Sequence, residues 1–191
     1  SIRRQRQMCI RDSHKRGHEV GSHTYEHLVP IRTSRRRLKH DFKAFHTVSA
    51  SYADIIGFHS PNGRWSFQML IYLNRHGFVY DIIGFSKEKK GEITSIKITY
   101  NKPILRFCSI GDDWPLYRKN TTKEHALEYF INLYSQVKPG KLGGIGFHPW
   151  VLSSDKNIWD GFHLFLNYLQ KQNDTYIQTG NYFSSKILNR N

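Results

Sequence analysis

Apolar side chains follow a helical period in four segments of the chain. Apolar spacings of three and four residues, with a capping hydroxyl before the segment or a glycine after it, are typical of amphipathic helices. The predicted helices run from Thr33 or Ser34 to about Ile56, from Ser66 to His76, from Thr121 or Thr122 through Val137, and from Trp159 to Gln170. The C-terminal tail also has a helical pattern.

Short apolar runs beside glycine, proline or other turn residues lie between these helices and predict strands. They are HEVGSH at 18–23, FHSPNG at 58–63, FVYDII at 78–83, GGIGFHP at 143–149 and TYIQT at 175–179, with further short strands between Gly84 and Asn120. Strands and helices alternate from Glu19 to Ile177. Such alternation is typical of parallel strands joined by crossover helices, and it predicts an α/β sheet or barrel.

Titratable side chains lie at the ends of four predicted strands. They are His23, His59, Asp81 and His148. In α/β barrels the active site is built where the strands end, at their C-terminal rim. A hydrophobic core alone does not require polar groups at four such positions, so the pattern predicts a functional site on this rim.

The chain is strongly basic, with a net charge of +14 over 191 residues. Its densest cluster of charge, RTSRRRLKH at 32–40, opens a predicted helix and lies mostly off the apolar stripe. This arrangement indicates a solvated helix face. No nucleic-acid-binding motif accompanies the cluster, so no nucleic-acid partner is predicted. No apolar run is long enough to span a bilayer, and both the cell envelope and the cytoplasm stay open as locations.

The first residues do not resemble a segment of a natural fold. RRQRQMCIRDS at 3–13 has no apolar period, and its back-translation resembles a transposase-type sequencing adapter. We therefore expect residues 1–13 to be non-native and residues 14–191 to form the domain. Cys108 would then be the lone cysteine of the native part, which excludes an intrachain disulfide.

Two histidines, His23 and His27, have three residues between them in GHEVGSHTYEH at 17–27. Neutral imidazoles on one short segment suit a divalent metal such as zinc. A catalytic zinc site needs a third protein ligand and an open position for water. The pair predicts zinc as the cofactor but does not by itself complete the site.

This histidine motif resembles that of the polysaccharide deacetylase (NodB-homology) family, and later segments match the family's other landmarks in order. FHSPNGRWS resembles its R-x-P-[YF]-G motif, LNRHGFVYD a strand that ends in aspartate, GGIGFHPW the strand of its second functional histidine, and FLNYLQKQNDTYIQTGNYF its closing helix and strand. GDDWPLY resembles a loop of the branch that holds peptidoglycan deacetylase-like proteins and cyclic-amide hydrolases. The resemblance implies an irregular, TIM-like (β/α) barrel.

The resemblance also implies a role for each matching residue. His23 and His27 would bind the metal, and His148 would protonate the leaving amine. Asp81 would hold His148 in its tautomer and charge state. The substrate contacts would be Trp114 and Trp150, as aromatic walls of a sugar groove, together with Pro61, Asn62 and Asp113.

Two departures from the family pattern change what is expected of this chain. The family places its third ligand and general base on adjacent aspartates of the first strand, before the histidine motif. Here the only such pair is Asp112 and Asp113, where a turn that caps its own backbone is expected. We therefore expect an incomplete barrel without the first strand and helix, an unclosed sheet, and no deacetylase activity. His59 occupies the position of an arginine that steadies the catalytic aspartate in the family. Its imidazole lacks the bidentate fork of a guanidinium.

The sequence leads to a metal-dependent hydrolase that removes an acetyl group from an N-acetylated amino sugar or glycan. One alternative is a hydrolase of small cyclic amides with the same fold. A second is a catalytically dead glycan-binding module, and a third is a basic nucleic-acid binder, which steep salt dependence of DNA binding would support.

Overall fold

The computed structural model describes residues 12–49, 55–84, 91–97 and 103–189. These residues form two compact units. The first comprises the described residues within Ser1–Ile83, Thr94–Arg106 and Gln178–Asn191, and the second those within Gly84–Ile93 and Phe107–Ile177. Residues 1–11, most of the segment predicted to be non-native, lie outside the described residues.

Helix α1 of the first unit spans Arg35–Ser49, and helix α2 spans Phe67–Arg75. Helix α2 begins and ends at the signals that the sequence carries. The Ser66 hydroxyl accepts a hydrogen bond from the Met69 amide at the start of α2, as an N-cap does. Gly77 follows this helix with φ 76°, a left-handed conformation that glycine adopts without strain.

A four-stranded sheet has the strand order β1-β2-β4-β3. Its strands are β1 (Gly57–His59), β2 (Tyr80–Ile83), β3 (Ile93–Ile96) and β4 (Ile104–Cys108). β1 and β2 are parallel, with Phe58 opposite Asp81. Ser22 forms an isolated parallel bridge to Phe58, and its amide donates to the Gly57 carbonyl over 2.8 Å. The predicted strand at 18–23 is thus reduced to one bridge, which nevertheless places His23 and His59 at the same edge of the sheet.

A C-terminal helix, α6 (Gly180–Leu188), also belongs to the first unit. The Glu19 carboxylate accepts hydrogen bonds from the Tyr80 hydroxyl at 2.7 Å and from the Asn181 amide at 2.8 Å. One half-buried carboxylate therefore joins the start of α6 to strand β2. A carboxylate at a helix N-terminus also interacts favourably with the helix dipole.

The described residues of the second unit form a two-stranded parallel sheet and three α-helices. The strands are β5 (Gly111–Asp112) and β6 (Ile145–Gly146), and the helices are α3 (Lys123–Tyr134), α4 (Pro149–Leu152) and α5 (Lys156–Gln170). Helices α3 and α5 pack closely at Gly161, where an added Cβ would lie 2.6 Å from that of Ala126. A larger residue at this position would force the two helices apart.

Each unit has its own apolar core. The first core consists of Leu28, Leu38, Phe42, Phe58, Met69, Leu70, Tyr72, Leu73, Phe78 and Ile104. The second consists of Leu116, Ala126, Phe130, Leu152, Ile158 and Phe165. The α/β class and the parallel pairing are as predicted, whereas closure of a barrel and its incompleteness stay predictions.

Two predicted elements differ from the structure. Helix α1 is described as far as Ser49, and residues 50–54 lie outside the described part of the chain. Ile55 and Ile56 have no regular structure, so the helix does not reach Ile56, and Gly57 begins a strand instead of ending a helix. The predicted strand at 175–179 is wrong, because these residues have no regular structure. Tyr176 and Ile177 are 62% and 63% exposed, so their apolar side chains do not cover a sheet. Within the described ranges, the helices all fall short of the length and apolarity needed to cross a bilayer.

Candidate functional site

Three histidine rings are neighbours in the first unit. The His23 ring centroid lies 4.8 Å from that of His27, edge to face, and 4.9 Å from that of His59, nearly parallel to it. Nδ1 of His23 donates a hydrogen bond to the backbone carbonyl of His59 over 2.7 Å. His59 therefore orients His23 through both its ring and its main chain.

The loop that carries His23 and His27 is held by hydrogen bonds to its backbone. Thr24 and His27 both have left-handed backbones, with φ of 62° and 55°. Non-glycine residues rarely adopt this conformation, and it persists only where surrounding structure enforces it. The Thr24 hydroxyl accepts from the Leu28 amide at 2.8 Å and closes the turn.

Asp41 supports the histidine loop, and no role was predicted for it from the sequence. Its buried carboxylate, on helix α1, accepts hydrogen bonds from the Tyr25 amide at 2.9 Å and the Glu26 amide at 2.7 Å. Asp41 thereby fixes the backbone between His23 and His27. A carboxylate beside Phe42 on the apolar face of a helix was the available signal, because buried acids are rare unless they are bonded.

The histidine pair fits a divalent metal in its chemistry and its support. Because Nδ1 of His23 donates to a carbonyl, the lone pair of the neutral ring is on Nε2, the tautomer that metal-bound histidines commonly adopt. Among the described residues, however, no group of three or more histidine, cysteine or acidic side chains is arranged to hold a metal ion. The described residues therefore contain two predicted metal ligands, His23 and His27, and the carbonyl of His59 that orients the first of them.

Asp81 has a different partner from the one predicted. Its fully buried carboxylate lies 3.1 Å from Nη2 of Arg106 and accepts a weaker hydrogen bond, 3.3 Å long, from the Ser60 hydroxyl. Trp65 covers the guanidinium, whose Cζ is 4.3 Å from the ring centroid. Burial raises the pKa of Asp81 to about 6, although Arg106 and Ser60 both favour the ionised form.

His148, in the second unit, is held by Asp113 instead of Asp81. Nδ1 of His148 lies 2.5 Å from Oδ1 of Asp113, and the His148 amide donates to Oδ2 of the same carboxylate over 2.8 Å. Asp113 is fully buried. The carboxylate bonded to His148 in the structure is thus that of Asp113, where the resemblance implied Asp81, and the substrate contact predicted for Asp113 stays a prediction.

The turn that carries Asp113 was predicted correctly in part. The Asp112 carboxylate accepts a hydrogen bond from the Trp114 amide over 3.0 Å, so this residue does cap its own backbone. The pairing of β5 with β6 then brings Asp113 next to His148, 35 residues further along the chain. Sequence distance alone gave no reason to connect the two.

Two exposed tryptophans lie beside His148. Trp150 has its ring centroid 4.8 Å from that of His148, and Trp114 has its centroid 6.0 Å away, edge to face. They are 56% and 54% exposed. Aromatic faces of this kind suit the apolar faces of sugar rings, so the surroundings of His148 are compatible with the predicted groove walls.

The remaining predicted contacts lie in the turn after β1, in the first unit. Pro61 is buried and Asn62 is exposed, with a left-handed φ of 56°. Asn62 can therefore reach a ligand from its present position, whereas Pro61 shapes the turn.

Comparisons with known proteins give structural likenesses only. No family model and no curated protein matches the chain. A protein of Mycobacterium smegmatis described as a polysaccharide deacetylase aligns with a TM-score of 0.80 at 14% identity, over 95% of this chain and 66% of its own. One of Pseudomonas aeruginosa PAO1, described likewise, aligns at 0.72 and 18% identity, over 93% and 62%. Puue allantoinase aligns at 0.65 and 14% identity, over 95% and 63%.

These likenesses define the class of fold. The chain has the α/β fold of polysaccharide deacetylases, which confirms the resemblance drawn from its histidine motif at the level of the fold. The same fold occurs in an allantoinase. The chain spans less than two thirds of the length of each of these proteins.

Proposed function

We propose that the protein is a metal-dependent hydrolase that removes an acetyl group from an N-acetylated amino sugar or glycan. The observation that carries the proposal is the histidine pair on a braced, left-handed loop, with His23 held in a ligand-type tautomer, in a chain with a deacetylase fold. His23 and His27 are the proposed ligands of a zinc ion or a similar divalent ion. When bound, such an ion polarises the amide carbonyl and activates water.

Each residue has its own role in the proposed reaction. His59 and Asp41 keep the proposed metal ligands His23 and His27 in place. His148 is the proposed acid that protonates the amine nitrogen as the amide bond breaks. Its Nδ1–H donates a hydrogen bond to Asp113, so the transferred proton would leave from Nε2 of His148. Trp114 and Trp150 are the proposed sugar contacts.

The first experiment measures metal binding rather than turnover. Calorimetric titration of the chain with zinc should show one site, and His27→Ala should abolish or strongly weaken it. His125→Ala removes an exposed histidine from the second unit and is the matched control. Equal zinc binding by the His27→Ala variant and the parent would refute the assignment of the ligands.

The second experiment measures acetate release from an N-acetylglucosamine oligosaccharide. General-base catalysis typically contributes about two to four decades of rate. Because no third ligand or base completes the site among the described residues, we expect little or no release from this chain even with zinc bound. Rapid, zinc-dependent release would show that another group serves as the base.

A second candidate, hydrolysis of small cyclic amides, is favoured by the likeness to an allantoinase and by His59 in place of the family's arginine. The same zinc-loaded protein can be assayed with a cyclic ureide and with the oligosaccharide. Binding of the oligosaccharide by a chain that binds no zinc would favour the glycan-binding module instead.

A further inference from the structure

The aromatic surface beside His148 continues beyond the two tryptophans. The Tyr117 ring stacks on that of Trp114, with centroids 5.2 Å apart and planes inclined by 29°. The backbone between them is held by a hydrogen bond from the Tyr117 amide to the Trp114 carbonyl, 3.0 Å long. Stacking on the Tyr117 ring therefore holds the exposed Trp114 ring in place.

An arginine ends this aromatic row. Cζ of Arg118 lies 5.0 Å from the centroid of the Tyr117 ring, within the range of a cation–π contact. Arg118 is exposed and has a left-handed backbone, with φ 57°, which is uncommon outside glycine. Stacking on a ring orients a guanidinium while leaving its N–H groups available to a planar anion.

The acidic side chains nearest in sequence are already engaged. Both oxygens of Asp113 accept hydrogen bonds from His148, and Asp112 accepts one from the Trp114 amide. Asp112 is half-buried and Asp113 is buried, so the exposed charges between residues 112 and 119 are those of Arg118 and Lys119. An anionic ligand on the aromatic row would therefore meet a cation at its far end.

We propose that Trp114, Tyr117 and Arg118 form a subsite for a carboxylate-bearing sugar, so that the preferred glycan is an acidic one. A sugar ring lies against Trp114, and its carboxylate binds the guanidinium of Arg118. The inference rests on the proposed function for its ligand class. It predicts a preference for acidic over neutral glycans, which neither the histidine motif nor the likeness in fold predicts.

The test uses two probes that differ only in charge. One is a tetrasaccharide of alternating N-acetylglucosamine and N-acetylmuramic acid, and the other is the same tetrasaccharide with its carboxylates converted to amides. Binding to the whole chain is measured by titration calorimetry at low salt. We expect the acid to bind about 2- to 5-fold more tightly, the range for an exposed ion pair.

Three variants make the test specific. Arg118→Gln should remove the preference for the acid, while Lys119→Gln, which removes a neighbouring exposed charge, should keep it. Trp114→Ala should weaken binding of both probes. Equal affinity of the parent chain for acid and amide, or equal loss of preference in both charge variants, would overturn the proposal. Zinc titration of the same samples is independent of this result, so failure of the subsite and failure of the metal site are distinguishable.

Discussion

His148 and Asp113 form a two-point contact in which one buried carboxylate binds both the ring Nδ1, at 2.5 Å, and the backbone amide, at 2.8 Å, of the same histidine. The contact fixes where the histidine backbone lies and which way its ring points. A carboxylate that accepts a hydrogen bond from Nδ1 keeps a proton on that nitrogen. Nε2 is then the ring nitrogen that can exchange a proton with a substrate.

Asp113→Asn should disturb this histidine without unfolding the protein. An asparagine has one acceptor oxygen, so it can satisfy the ring or the amide of His148 but not both. We expect the Nδ1–H tautomer to lose its dominance, as read by nitrogen NMR of the imidazole. Any hydrolase activity should fall by about 10²- to 10⁴-fold, the usual contribution of a positioned acid.

Asp112→Asn is the control for this substitution, because an asparagine at 112 keeps the oxygen that accepts from the Trp114 amide. It should leave the His148 spectrum unchanged. Identical His148 spectra for Asp113→Asn and the parent would mean that the carboxylate does not set the tautomer.

Arg106 and Asp81 should behave as a buried ion pair in a double-mutant cycle. Arg106→Met leaves Asp81 buried without its cation, which we expect to lower the free energy of unfolding by about 3–5 kcal/mol. Asp81→Leu leaves the guanidinium unpaired and should cost a similar amount. The double variant should recover most of the loss, because paired apolar residues often replace a buried ion pair without penalty. Urea titration of all four proteins measures the cycle, and strictly additive losses would contradict it.

His46 should make the protein less stable in mild acid. Its Nε2 is buried without a hydrogen-bond partner and its ring lies 4.5 Å from that of His76. Burial, followed by the charge of His76, lowers the pKa of His46 below its ordinary 6.5. The unfolded chain therefore takes up this proton before the folded one does, and stability declines as the pH falls from about 6.5 towards the lowered value.

His46→Phe should flatten that decline, since phenylalanine fits beside Phe45 and Phe78 and has no proton to bind. Chemical unfolding at several pH values between 5 and 7 measures the slope. His40→Phe, on the exposed face of the same helix, is the control and should keep the parent slope. A slope unchanged by His46→Phe would locate the acid sensitivity elsewhere.

Asp41→Ala should weaken metal binding from a position that cannot itself be a ligand in this structure. The Tyr25 and Glu26 amides lose their acceptors, and an intramolecular hydrogen bond typically contributes about 0.5–1.5 kcal/mol to stability. Loss of outer support typically reduces metal affinity by about 10- to 100-fold. Zinc titration and urea unfolding are measured together, and Asp41→Asn, which keeps one acceptor, should give intermediate values in both. Unchanged zinc affinity in a destabilised Asp41→Ala variant would limit Asp41 to a structural role.

Local chemistry in the sequence determined most of the helices and the histidine motif. Ser66 and Thr122 cap the helices that they were predicted to cap, because an N-cap hydroxyl acts within three residues. His23 and His27 were predicted as a pair because they share one loop, and their ring centroids lie 4.8 Å apart. Such features depend on neighbours along the chain, which a sequence displays directly.

Only the tertiary structure decided which carboxylate is paired with Arg106 and which with His148. The family resemblance assigned Asp81 to His148, yet β2 lies beside β4, which brings Arg106 to Asp81. The pairing of β5 with β6 brings Asp113 to His148 instead. Strand order is set by packing among segments far apart in sequence, and no local period encodes it. Asp41 was missed for the same reason, because the loop amides that it binds are 15 and 16 residues away and meet it only in the folded protein.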